Sequence, residues 1–202
     1  MTASDVKSLP VLGFLTVVEY QPHGLFGGYL VLNALGRPLE FHCTAPVKPN
    51  RAQKILYGPT LLPFLYGEQI GQTLVNKAAT SPATLCTDVE PVLAIRDFVS
   101  LPVALVVSSE ESDKALRSDP TELDSASETA FRSKWRVDQP HRQEGDLTHF
   151  AIGTNRLAVP ASRIEDRGAL QQRLAEIGPS FDLSEPFARI REAIAEAQRG
   201  SQ

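Results

Sequence analysis

The stretch VLGFLTVVEYQPHGLFGGYLVLNALGRPLEFHCTA, residues 11–45, tells most about how this chain folds. Val11 to Tyr20 is rich in β-branched and aromatic residues, the types that pack well on a pleated surface. Pro22, Gly24, Gly27 and Gly28 interrupt it, so Gln21 to Gly28 reads as a turn. Tyr29 to Ala34 is a second apolar run, closed by a tight connection at Leu35-Gly36. From Leu39 to Ala45 the pattern alternates. Leu39, Phe41 and Cys43 fall on one face, and Glu40, His42 and Thr44 on the other. Period two is the signature of a half-buried strand. Three such runs joined by short turns predict an antiparallel meander whose middle strand, apolar on both faces, is covered from both sides.

Downstream, Pro46 and Pro49 end the sheet, and Asn50 is placed to cap a short helix, Arg51 to Tyr57, that Gly58-Pro59 stops. A second helix is expected from about Thr60 to Ala78, with Leu62, Tyr66, Ile70 and Leu74 as its inward stripe. Ala83 to Thr87 reads as a strand ending at Asp88, Glu90 to Phe98 as a brief helix, and Pro102 to Val107 as a buried strand. Strand, helix and strand over this length predict a parallel crossover.

Between Ser108 and Glu128 seven acidic residues face only Lys114 and Arg117, and large apolar side chains almost vanish. Such a segment cannot bury enough apolar surface to offset its ordering entropy, so it reads as exposed or disordered. A basic stretch with one tryptophan follows, in which Arg132, Lys134, Trp135 and Arg136 are candidates for docking a partner. Order resumes at Leu147, with a strand or hairpin over His149 to Val159 turning at Gly153-Thr154-Asn155. Ser162 and Glu165 have the spacing of a capping box that opens a helix to about Ile177, and Ser184 starts a last helix with Phe187, Ile190 and Ile194 inward. The solvated face of that last helix reads as Arg189, Arg191, Glu192 and Glu196. The expected organisation is an α/β core over 1–107, an acidic insertion over 108–146, and a strand with two helices over 147–202 that complete the same domain.

Composition sets outer bounds. The chain has 202 residues, 42% hydrophobic and 22% charged, which is ordinary for a globular protein. A formal charge of −4 gives no overall attraction to polyanions, which argues against a dedicated nucleic-acid binder. Cys43 and Cys86 are too few for a disulfide framework and read as two reduced, buried thiols. The start MTASDVKSLP lacks the features of a signal peptide, and no window has the apolar length of a spanning helix. A cytoplasmic protein is the expectation, without a membrane role.

The chain is expected to be a mixed α/β protein. The order of its elements, a three-strand meander followed by alternating helices and strands, resembles that of a ribonuclease-H-like fold. A profilin- or longin-like α+β sandwich is the competitor. The resemblance implies carboxylates at the middle of the first strand, in the first long helix and at the end of the fourth strand, where two metal ions would bridge them to a phosphate. The matching candidates are Glu19, Glu68 and Asp88, of which only Asp88 falls comfortably on the pattern. Leu15 and Thr16 stand at the centre of the first strand, where an aspartate is expected.

Elsewhere, Glu40 and His42 share a strand face and form a weaker acid–base candidate. No paired cysteine or histidine spacing suggests zinc, and no phosphate-loop pattern is present. With no complete catalytic set in view, the preferred expectation is a non-catalytic accessory protein that presents its charged insertion to a protein partner, with no cofactor. The alternative is a Mg²⁺- or Mn²⁺-dependent nuclease or phosphodiesterase built on Asp88 with Glu19 or Glu68.

Overall fold

A computed structural model describes residues 10–107, 147–178 and 181–199. The acidic insertion and the basic stretch with Arg132, Lys134, Trp135 and Arg136 lie outside the described residues.

Seven strands form one mixed sheet: β1 (Leu12–Tyr20), β2 (Gly24–Leu32), β3 (Pro38–Cys43), β4 (Thr84–Thr87), β5 (Val103–Val107), β6 (Leu147–Ile152) and β7 (Asn155–Pro160). Their order across the sheet is β3-β2-β1-β4-β5-β7-β6. The expected meander is present, with β1, β2 and β3 antiparallel. The expected crossover is present too, with β1, β4 and β5 parallel. The hairpin β6–β7 turns at Gly153 (φ +57°), and β7 pairs antiparallel with β5, so the C-terminal strands extend the same sheet.

The first turn differs from expectation in a way that explains its glycines. It occupies only Gln21 to His23, and β2 begins at Gly24. Gly27 and Gly28 therefore lie inside a buried strand. A Cβ on Gly27 would come 2.1 Å from Ile70 Cγ2, and one on Gly28 would come 2.2 Å from Ile190 Cγ2. Adjacent strand residues point to opposite faces. The two glycines thus mark where helices press on the sheet from either side.

On one face, Leu15, Val17, Tyr29, Val31, Leu85 and Val103 pack under a helix spanning 61–77 and a 3₁₀ helix, Glu90–Asp97. The short helix α1 (Arg51–Tyr57) precedes them, and Asn50 closes a reciprocal capping box with Gln53, as its sequence implied. The long helix, α2, carries a π-helical segment, Phe64–Gln72. Hydrogen bonding from i to i+5 widens those turns. Its buried residues accordingly step from Leu65 by five to Ile70 and by four to Leu74, while Leu62 of the expected stripe is 50% exposed.

On the other face, Leu12, Phe14, Leu30, Cys86, Ala104 and Leu157 pack under α3 (Glu165–Leu174) and α4 (Glu185–Arg199). Phe14 and Phe187 meet edge to face at 5.6 Å. Fully burying a side chain such as Phe187 stabilises the fold by roughly 1.5–3 kcal/mol. The expected Ser162–Glu165 capping box does not form. Ala161–Arg163 makes a 3₁₀ turn, the helix starts at Glu165 without a side-chain cap, and it ends at Leu174 rather than Ile177. Instead, Asp166 in the first turn of α3 takes a bidentate ion pair from Arg96, at 2.6 and 3.0 Å. Among the described residues no helix is long and apolar enough to cross a membrane.

Candidate functional site

Connections run one way from β1 through β2 to β3, and the other way from β4 to β5. The parallel neighbours β1 and β4 therefore flank a topological switch point. Open α/β sheets bind ligands in the crevice beyond the carboxyl ends of such strands.

The register defines what lies there. Phe14 pairs with Cys86 and Leu15 with Thr87, so Thr16 and Asp88 come next at the same level. Phe14 and Cys86 belong to the core beneath α3 and α4. Side chains two residues further along an extended chain return to the same face, which puts Thr16 and Asp88 beneath α4. Gly28 of β2 stands opposite Thr16, and its missing side chain admits Ile190 close to the sheet. The next residue of α4, Arg191, reaches the end of β4 and donates from Nη2 to Asp88 Oδ2.

Two polar atoms at this level have no hydrogen-bond partner among the described residues: Thr16 Oγ1 and Asp88 Oδ1, both buried. Burying such groups unpaired is unfavourable by a few kcal/mol at most sites. Arg191 is the more open member, its side chain 43% exposed against 15% for Asp88. Arg191 is thus a half-open guanidinium set against a sheltered carboxylate.

The other candidate carboxylates lie elsewhere. Glu19 shares the face of Leu15 and Val17, opposite to that of Asp88, and lies three residues beyond the level of Thr16. It is exposed and accepts from Gln21 Nε2 at 2.6 Å. The charge of Glu19 also adds to the burial that raises the pKa of Tyr66. Glu68 is exposed on α2. The three carboxylates of the nuclease alternative therefore do not converge, because Glu19 and Glu68 project from the opposite layer. Asp88 does not cap the helix after it either, since Val89 is the N-cap residue and carries no capping side chain.

Glu40 and His42 do share a face, with His42 Nε2 3.7 Å from Glu40 Oε1. That face holds Tyr29 and Val31 and is the one away from Asp88. Glu40 plays a structural part there. Its carboxylate accepts the backbone N–H groups of Thr80 and Ala79, both at 2.9 Å, which holds its pKa below the ordinary carboxylate range. It ties the end of α2 to β3. Cys86 is buried as expected, and burial pushes its thiol up to about 12, but Cys43 is exposed, because β3 is an edge strand whose Leu39–Phe41–Cys43 face has no helix over it among the described residues.

A two-metal centre does not fit these residues. Hard divalent cations take about six or more oxygen ligands, and a pair of them needs more than one protein carboxylate to anchor it beside a phosphate. Among the described residues, the carboxyl end of β1 and β4 offers one carboxylate and one neutral hydroxyl, and a guanidinium already holds one oxygen of the carboxylate. Among the described residues no three His, Cys, Asp or Glu side chains gather as a metal site. In the sequence, Arg191 reads only as part of the solvated face of α4. Nothing local marks it, because the strand beneath it is set by packing.

No family model matches the chain, and no curated protein matches it. Solved structures do. The crystal structure of human ENDOV is similar with a TM-score of 0.50 at 16% identity, over 96% of this chain and 87% of that one. The catalytic domain of human endonuclease V, with four cysteines substituted, is similar with a TM-score of 0.46 at 13% identity, over 95% of this chain and 85% of that one. The likeness to the first establishes the fold: a mixed α/β, ribonuclease-H-like sheet, as the element order implied. It also corrects the functional expectation. The accessory-protein reading rested on a charged insertion that lies outside the described residues, whereas nearly the whole chain shares its fold with a nuclease.

Proposed function

We propose that this protein is directed at nucleic acid, and that it holds a phosphodiester in the crevice beyond the carboxyl ends of β1 and β4. The observation that carries this is the position of Arg191, a half-exposed guanidinium brought by α4 to the switch point of a nuclease fold. A guanidinium presents planar donors that match phosphate oxygens, and Asp88 occupies only part of that set. Arg156 supports the same edge. It stands opposite Val107 at the carboxyl end of β5 and adds a second, exposed guanidinium on the other face of the sheet. The overall charge of −4 does not oppose this, because affinity for the phosphate backbone depends on local cations.

The test is fluorescence anisotropy with labelled single-stranded and duplex oligonucleotides of RNA and DNA, over a salt series. Binding is expected for at least one of them. Arg191→Ala should weaken it about tenfold and lower the slope of log K against log salt by about one. Circular dichroism checks that the variant is folded. No binding to any probe at low salt, or full binding by Arg191→Ala, would refute the proposal.

A further inference from the structure

We infer that Arg191 stands where this fold would otherwise place metal ions, so that the crevice takes its phosphate without a divalent cation. The inference rests on the proposed function and goes beyond it by assigning opposite roles to the two charged groups of the site.

The geometry requires this in three steps. A pair of metal ions needs more than one protein carboxylate to anchor it beside a phosphate, and among the described residues the level of β1 and β4 supplies only Asp88. Thr16 faces that point from β1 with a neutral hydroxyl that is fully buried and unpartnered among the described residues. Sealed beneath α4, that hydroxyl is neither an anionic ligand nor a charge that would attract a cation. Arg191 then contributes a permanent positive charge in contact with Asp88. A divalent cation seated on Asp88 would have to displace that guanidinium or sit against it, and like charges at such distances repel strongly. The anion-binding charge of the crevice is therefore built into α4.

The role of Asp88 follows with a sign that differs from that in a metal centre. As a metal ligand Asp88 would be indispensable, and its amide would abolish phosphate binding. As the counter-charge of Arg191 it orients the guanidinium and also partly neutralises it. Replacing Asp88 by asparagine keeps the shape and a hydrogen-bond acceptor, removes the negative charge beside the phosphate, and strengthens binding. At separations of about 5–6 Å in a water-like dielectric, loss of one such repulsion corresponds to roughly three- to fourfold in affinity, and to about tenfold or more where the local dielectric is lower.

The experiment measures anisotropy of the oligonucleotide bound best by the wild-type chain, in EDTA, in Mg²⁺ and in Mn²⁺ at constant ionic strength. Wild type, Asp88→Asn and Arg191→Lys are compared, with titration calorimetry of Mn²⁺ alone into the wild-type protein. Expected are affinities equal within about twofold in EDTA and in either metal, roughly three- to tenfold tighter binding by Asp88→Asn, and no Mn²⁺ heat up to millimolar concentration. Arg191→Lys keeps the charge but loses the planar donor pair, and binds several-fold more weakly. Binding that appears only with Mg²⁺ or Mn²⁺ and disappears in Asp88→Asn would overturn the inference and leave the proposed function standing. Micromolar Mn²⁺ binding would overturn it as well. No oligonucleotide binding under any condition would remove the proposed function, and the inference with it.

Discussion

Substituting Gly28 by alanine tests whether α4 is held as low over the sheet as the site requires. The new Cβ would lie 2.2 Å from Ile190 Cγ2 and 2.9 Å from Ile194 Cδ1. Comfortable carbon contacts begin near 3.5 Å, so the first is short by about 1.3 Å. Ile194 can relieve its contact by rotating a terminal methyl. Ile190 cannot, because its offending methyl is on Cβ of a β-branched residue with essentially one χ1 available in a helix. The helix must lift, or the strand must yield. Overpacking of this kind costs about 1–3 kcal/mol, against which alanine regains about 0.5–1 kcal/mol over glycine in a strand interior. The net destabilisation is about 1–2 kcal/mol. For a chain of this size each kcal/mol moves Tm by about 2–4 °C, so thermal unfolding followed by circular dichroism should shift down by about 2–8 °C. In the Ile190→Ala background the added methyl has room, and the same substitution should be close to neutral, a coupling of at least about 1 kcal/mol between positions in contact. An unchanged or higher Tm for Gly28→Ala, or simple additivity with Ile190→Ala, would refute the close seating of α4. The placement of Arg191 over Asp88 would go with it.

Two further outcomes follow from side chains away from the crevice. Asp166→Ala leaves Arg96, only 18% exposed, without its counter-charge, and should cost about 3–5 kcal/mol in urea unfolding. Arg96→Met with Asp166→Leu should recover most of that loss, and a loss below about 1 kcal/mol for the single variant contradicts the pair's role. Glu40, held below the usual carboxylate range by the N–H groups of Thr80 and Ala79, stabilises the fold above that range. The contribution disappears as pH falls through the lowered value. Tm of wild type should therefore decline more steeply than that of Glu40→Gln between about pH 5 and pH 3, and parallel curves would reject the latch.

The Asn50 cap and the turn at Gly153 were legible in the chain because each depends on neighbours within a few residues, whereas the alternation over Leu39 to Ala45 marked a strand but not its covered face: Leu39, Phe41 and Cys43 are exposed, and Glu40 and His42 are the more sheltered side. The same locality is what misleads elsewhere. Gly27 and Gly28 look like turn residues, and only the helices on both faces reveal them as points of contact inside a strand. The spacing Leu62, Tyr66, Ile70 and Leu74 assumes an ordinary helix, which the π-helical turns displace. Ser162 and Glu165 match a cap whose helix begins instead where Asp166 can reach Arg96, 70 residues away in the chain.

The meander and most of the strand content were thus written in the sequence, as was the absence of an aspartate at Thr16, since side-chain period and turn chemistry are properties of adjacent residues. Which polar groups meet was decided by tertiary packing alone. Glu19 and Asp88 are divided by the thickness of the sheet, and Arg191 meets Asp88 from a distance of 103 residues, because the face a strand residue takes and the height at which a helix lands depend on every layer in between.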